Sequence, residues 1–180
     1  MFPLWDDVPT KKFPLITVVL IALNSMVYLY QISLGEGFNE FIYSMGLLPF
    51  EITHHIDLLP SGPSPIYLTI FSSMFMHGSI VHLLGNMLFL WIFGNNIEDY
   101  LGRKKYVIFY LLCGVAAALT QILFNSDSKV PMVGASGAIA GVLGAYLLLY
   151  PRAKVTTVII FVFFIRLIKI PAVVVLSFWI

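Results

Sequence analysis

A helix needs about 20 mostly apolar residues to cross a bilayer, and this chain supplies such runs one after another. They cover residues 13–33, 80–96 and 106–124. A shorter run covers 136–150, and a last one begins at Ala172 and is still apolar at Ile180. Backbone polar groups in hydrocarbon must be paired within the protein, which a helix does by itself. The expected fold is an all-α, polytopic transmembrane helical bundle. It forms a single domain over residues 1–180, with about five spans, the last incomplete. Composition agrees: 59% of the residues are hydrophobic and 11% charged, where a soluble domain has about 25% charged.

The formal net charge of +1 gives no sign of a nucleic-acid partner. The single cysteine, Cys113, lies inside an apolar run and reads as a small core residue. The N-terminus does not read as a cleaved signal. Asp6 and Asp7 precede Lys11 and Lys12, and no small-residue cleavage site follows the first run.

Basic residues set the orientation of such a bundle. Lys11 and Lys12 precede span one, Arg103, Lys104 and Lys105 separate spans two and three, and Arg152 and Lys154 follow span four. Arg166 and Lys169 precede the last run. With the N-terminus in the cytoplasm, all of these fall on one side, and of the ten Lys and Arg only Lys129 falls outside. The segment 34–78 is then an external loop without Lys or Arg, carrying Glu36, Glu40, Glu51 and Asp57. It is too long for a plain connector, and its part "SPIYLTIFSSMFMHG" is apolar enough to dip into the membrane. The β-branched segment 155–165 is too short to span. It is expected to lie along the cytoplasmic interface or under the bundle.

Span two reads "HGSIVHLLGNMLFLWIFGNNIED". His82 and Asn86 are four apart and share one helix face. An unpaired polar group in hydrocarbon costs several kcal/mol, so both must face protein or water. Interhelical hydrogen bonding and a functional site are equally open readings. His77, near the external mouth, reads as an interfacial histidine bonded to the loop. Span four opens "VGASGAIAGVLGAYLLLYP". Gly137, Gly141 and Ala145, spaced by four, form a face that another helix can approach closely. Ser136 sits at the start of that helix. Free N–H groups and the helix dipole there favour an anion, which suits a serine attacking a carbonyl, because the tetrahedral intermediate carries an oxyanion. Ser136 can also serve as an N-cap.

These two blocks together, in this order and on spans two and four, resemble the rhomboid family of intramembrane serine proteases, over nearly the whole chain. The resemblance implies that Ser136 is the nucleophile. It implies that His82, Asn86 and the Ser136 N–H donate to the oxyanion. His77 would support the external loop, and Gly134, Gly137 and Gly141 would shape the backbone and packing around the serine. Glu98 would tie the cytoplasmic end of span two to a neighbouring loop. From the residues alone, Glu98 is equally a solvated helix-end charge near Arg103. No metal or cofactor is implied. The partners would be transmembrane protein substrates and the lipid bilayer, and the location a prokaryotic inner membrane.

Two departures stand out. Family members use a Ser–His dyad whose base lies on a sixth span, yet no histidine follows Ser136 here. The chain therefore reads as a truncated member, inactive as it stands, with the sixth span also absent as a packing partner for the Gly137/Gly141 face. Ala140, one turn after the serine, stands where the family often has an aromatic ring. A rival reading is a non-catalytic rhomboid-like protein that binds or escorts membrane helices. The missing histidine favours it. Ser136, His82 and Asn86 argue against it, since a binding module has no use for an oxyanion site.

Overall fold

The computed structural model describes residues 2–161, 164–177 and 179. Three of its helices are long and apolar enough to cross a membrane: Leu15–Ser33, Ile80–Leu101 and Arg103–Phe124. The first is α1 and the third is α7. The second consists of α5 (Ile80–Phe89), one wide turn at Leu90–Gly94 and α6 (Asn95–Leu101). A fourth apolar helix, α8 (Ser136–Leu149), has 14 residues. At 1.5 Å per residue it is roughly 21 Å long, short of the ~30 Å hydrocarbon core. Its first residue thus lies below the outer surface when its other end reaches the opposite one.

The helical bundle expected from the sequence is present. Its core is built by α5–α6, α7 and α8, where Leu90, Phe93, Ile97, Tyr106, Tyr110, Ile139, Leu143 and Tyr146 are buried. The Gly137/Gly141 face does find a helix, and that helix is α7. A Cβ on Gly137 would lie 2.5 Å from the Ala117 methyl, and one on Gly141 would collide with Cys113. Small residues on α7 fill this approach. Gly94 serves the same end at the wide turn, where a Cβ would sit 2.6 Å from the Tyr106 hydroxyl.

The segment between α1 and α5 folds into α2 (Phe38–Met45), α3 (Pro49–His54), α4 (Thr69–Ser72) and short turns. Its apolar part packs inward. Met74 and Met76 are buried, and Met74 lies against Gly114 of α7. An isolated bridge pairs Leu47 with Met132.

Segment 155–165 departs from its expected form. It belongs to a three-stranded antiparallel sheet of β1 (Phe2–Asp6), β2 (Lys154–Phe161) and β3 (Phe164–Pro171), in the order β1-β2-β3. Phe2 faces Val158 in register, Asp6 faces Val155, and Lys154 faces Pro171. The β-branched run Val155–Thr156–Thr157–Val158 favours a strand, and three strands leave fewer backbone groups unpaired than one interfacial segment would. The last apolar run enters α9 (Ala172–Ser177).

Candidate active site

Ser79 opens α5 with its Oγ accepting the His82 N–H at 3.2 Å. That cap fixes the first turn and places His82 and Asn86 on successive turns of one face. Asn86 is 2% exposed and His77 fully buried. The Asn86 Nδ2 donates to His77 Nε2 at 2.9 Å, and the His77 and His82 rings meet edge-on at 5.1 Å. Burial, with the His82 ring beside it, pushes the His77 pKa down to about 4, so the ring is neutral near pH 7. With Nε2 accepting from Asn86, its proton sits on Nδ1, which has no partner among the described residues.

His77 is held by its backbone. Gln31 of α1 accepts the His77 N–H on Oε1 at 3.1 Å and donates from Nε2 to the His77 carbonyl at 3.2 Å. The His77 ring itself bonds to Asn86 of span two. Gln31 was missed from the sequence, although a buried amide within an apolar span was itself a signal.

Span four approaches this cluster through Gly134, whose N–H donates to the Ser73 carbonyl at 2.9 Å. Gly134 has φ +123, a region that L side chains rarely adopt. A Cβ there would fall 2.7 and 2.8 Å from Cε1 and Nε2 of His82, so glycine lets the imidazole close on the backbone two residues before Ser136. Ser136 is the first residue of α8, and Ala135 before it supplies no side-chain cap. Among the described residues the Ser136 hydroxyl has no hydrogen-bond partner and remains half-buried.

A cavity of about 510 Å³ joins these groups. Ser136, His82, Asn86, Gly137, Ala140 and Trp179 are among its lining. Trp179, another residue that sequence reasoning passed over, also packs on Phe89 with ring centroids 5.3 Å apart. A hydroxyl, a ring N–H, a carboxamide and the uncapped start of a helix therefore face one space. That combination can hold an acyl group beside a nucleophile and stabilise negative charge on its oxygen.

Glu98 lies at the other end of span two and is 4% exposed. It accepts the Ile16 N–H at 2.9 Å, the Thr17 N–H at 2.8 Å and the Thr17 hydroxyl at 2.9 Å. Its partner is the first turn of α1, where Pro14 supplies no side-chain cap. The solvated-charge alternative does not describe it. Near it, Asp6 of β1 accepts from Asn96 Nδ2 at 2.7 Å and from the Tyr146 hydroxyl. One carboxylate thereby joins the sheet to spans two and four. Burial pushes the Asp6 pKa up, and the bond from Tyr146 partly offsets this.

Comparison with known proteins agrees with this architecture. The Rhomboid domain family profile matches residues 65–180. "Rhomboid protein 1, mitochondrial" of Saccharomyces cerevisiae is 31% identical over 133 residues, which is 71% of this chain and 38% of that protein. "Rhomboid protease GluP" of Bacillus subtilis is 30% identical over 135 residues, 74% of this chain and 24% of its own length. "Presenilin-associated rhomboid-like protein A, mitochondrial" of Danio rerio is 36% identical over 90 residues, 49% of this chain and 24% of its own. The matches thus span about a quarter to two-fifths of these relatives. Two of the three carry a mitochondrial designation, so a prokaryotic inner membrane is not singled out; a multi-pass membrane location is common ground. With the profile covering spans two to four and the cavity between them, the chain belongs to the rhomboid family.

Proposed function

We propose that this chain carries the nucleophile half of an intramembrane serine endopeptidase. The observation that supports this best is the cavity lined by Ser136, His82 and Asn86 together. In this reading Ser136 Oγ attacks the scissile carbonyl of a transmembrane substrate near the external interface. The Ser136 N–H, His82 and Asn86 receive the developing oxyanion. A carboxamide carries two N–H bonds, so Asn86 can bind His77 with one and the oxyanion with the other. The N-terminus and the basic loops lie on the cytoplasmic side.

A serine hydroxyl is a weak nucleophile until a base takes its proton. Among the four histidines, His77 is engaged by Asn86. His54 and His55 bond within the loop to Phe50 and Tyr67. His82 is assigned to the oxyanion. The base is therefore proposed to be a histidine outside these 180 residues, and no metal or cofactor enters the reaction. The other reading, a non-catalytic protein that binds membrane helices, draws on the same Asn86–His77 bond as a purely structural tie.

Fluorophosphonate labelling separates the two. The 180-residue chain should label weakly at best. A longer form that supplies the histidine should label at Ser136 and lose the label in Ser136→Ala. Strong labelling of the 180-residue chain itself would overturn the assignment of the base. A folded longer form that never labels would favour the binding protein.

A further inference from the structure

A second and larger cavity, about 700 Å³, opens at the basic end of the bundle. It lies between the entry to α1, at Lys12 and Phe13, and the start of α7, at Arg103, Lys104 and Lys105. Four of the chain's ten Lys and Arg therefore face one space.

None of these cations is ion-paired among the described residues, and they outnumber the carboxylates of the lining four to two. Glu98 and Asp99 also line the cavity, but the Glu98 carboxylate is committed to Ile16 and Thr17. One oxygen of Asp99 accepts the backbone N–H of Lys11 at 2.9 Å. Among the described residues, no carboxylate lies within 4.0 Å of any Lys or Arg. Gly102, which precedes α7, offers no side chain to cap it, so the positive end of a 22-residue helix adds to the same field. Clustered like charges repel, and an unpaired cluster around a concavity is relieved by a bound anion.

The position says which anion. Both helices are candidate membrane spans, and the cavity sits where each one begins. Phe13 is 64% exposed beside it. Above it Val19 on α1 and Ile108 and Leu112 on α7 expose apolar side chains suited to acyl chains. We infer that this cavity is a binding site for the phosphate headgroup of an anionic glycerophospholipid, held by Lys12, Arg103, Lys104 and Lys105. The site is independent of the chemistry at Ser136.

Native mass spectrometry of the full chain in a neutral detergent tests it, with phosphatidylglycerol and phosphatidylcholine added at equal concentration. A one-lipid adduct should form with phosphatidylglycerol at about one-tenth the concentration needed for phosphatidylcholine. That preference should vanish in Arg103→Gln/Lys104→Gln/Lys105→Gln and weaken in Lys12→Gln. It should survive in Arg152→Gln/Lys154→Gln, which removes charge elsewhere on the same side. Equal binding of the two lipids would overturn the inference. So would equal loss in the two sets of variants, which would mean diffuse charge rather than a site. Displacement of the lipid by inorganic phosphate at matched concentration would overturn the lipid assignment in favour of a free phosphate. Circular dichroism of each variant verifies the fold, and the single Lys12 substitution keeps the test alive should the triple variant unfold.

Discussion

The two ends of span two put polar groups to opposite uses. At the basic end the buried carboxylates are satisfied: Glu98 accepts three hydrogen bonds from α1, and Asp6 joins Asn96 to Tyr146. At the other end the polar groups keep capacity in hand. His77 Nδ1 is unpaired among the described residues, the Ser136 hydroxyl is unbonded, and His82 and Asn86 line open space. A buried polar group without a partner costs about 1–3 kcal/mol. Such groups occur at the basic end as well, where Asn96 Oδ1 and the Tyr106 hydroxyl are buried and unpaired among the described residues; the difference is that Ser136, His82 and Asn86 line a cavity. The same helix is a tether at one end and a cavity wall at the other.

If that contrast is right, substitutions at the two ends should fail in different measurements. Among substitutions that spare the nucleophile Ser136, the largest effect on rate should come from Asn86→Ala, assayed in a form that turns over a transmembrane substrate. Losing one oxyanion donor costs roughly 10²–10³ in kcat, with KM little changed. The thermal midpoint should fall modestly, because only one buried hydrogen bond is lost. Wild-type kcat in a folded Asn86→Ala protein would reduce this residue to a tie between helix and loop and erase the contrast. Glu98→Ala should do the reverse. Two backbone N–H groups and a hydroxyl would lose a charged acceptor, for about 3 kcal/mol of stability in all, while kcat per folded molecule stays within about twofold. A Glu98→Ala protein with unchanged unfolding and a collapsed kcat would mean that the basic end tunes the chemistry.

How much of this was legible beforehand follows the range of the interactions. Spans and their order could be read because hydrocarbon imposes a local rule, about 20 apolar residues per crossing. His82 and Asn86 could be placed on one face because helical spacing is also local. The sheet could not, although the β-branched run at 155–158 was visible. Its strand partner β1 lies about 150 positions away in the sequence, and nothing near residue 155 points there. That α7 packs on Gly137 and Gly141 was likewise not foreseen. A face of small residues announces that some helix comes close, and the sequence does not say that it is α7 rather than one further along. Glu98 turned from an ambiguous helix-end charge into a cap for α1 because Pro14 leaves that helix without one, a complementarity between residues more than 80 positions apart. Gln31 shows the same limit at the reactive end, since its partner is the backbone of residue 77.

Gln31 also gives the smallest and most discriminating test. Its amide holds both backbone groups of His77, and His77 in turn holds Asn86. Gln31 touches nothing that would react, so it acts as a positioning residue at two removes. Gln31→Leu should leave the two groups of His77 unpaired and allow the His77–Asn86 pair to drift. A drift of under 1 Å suffices to weaken an oxyanion bond, and a roughly tenfold loss in kcat, about 1.4 kcal/mol, is expected. Gln31→Asn keeps the amide on a shorter reach and should recover only part of the loss. In an Asn86→Ala background, Gln31→Leu should cost much less in kcat, because the donor it positions is gone. That non-additivity separates positioning from plain destabilisation, which would add in full to the Asn86→Ala loss. An additive double variant would cut the link from α1 to the cavity and leave Gln31 as a helix fastener, of the kind Glu98 is at the opposite end.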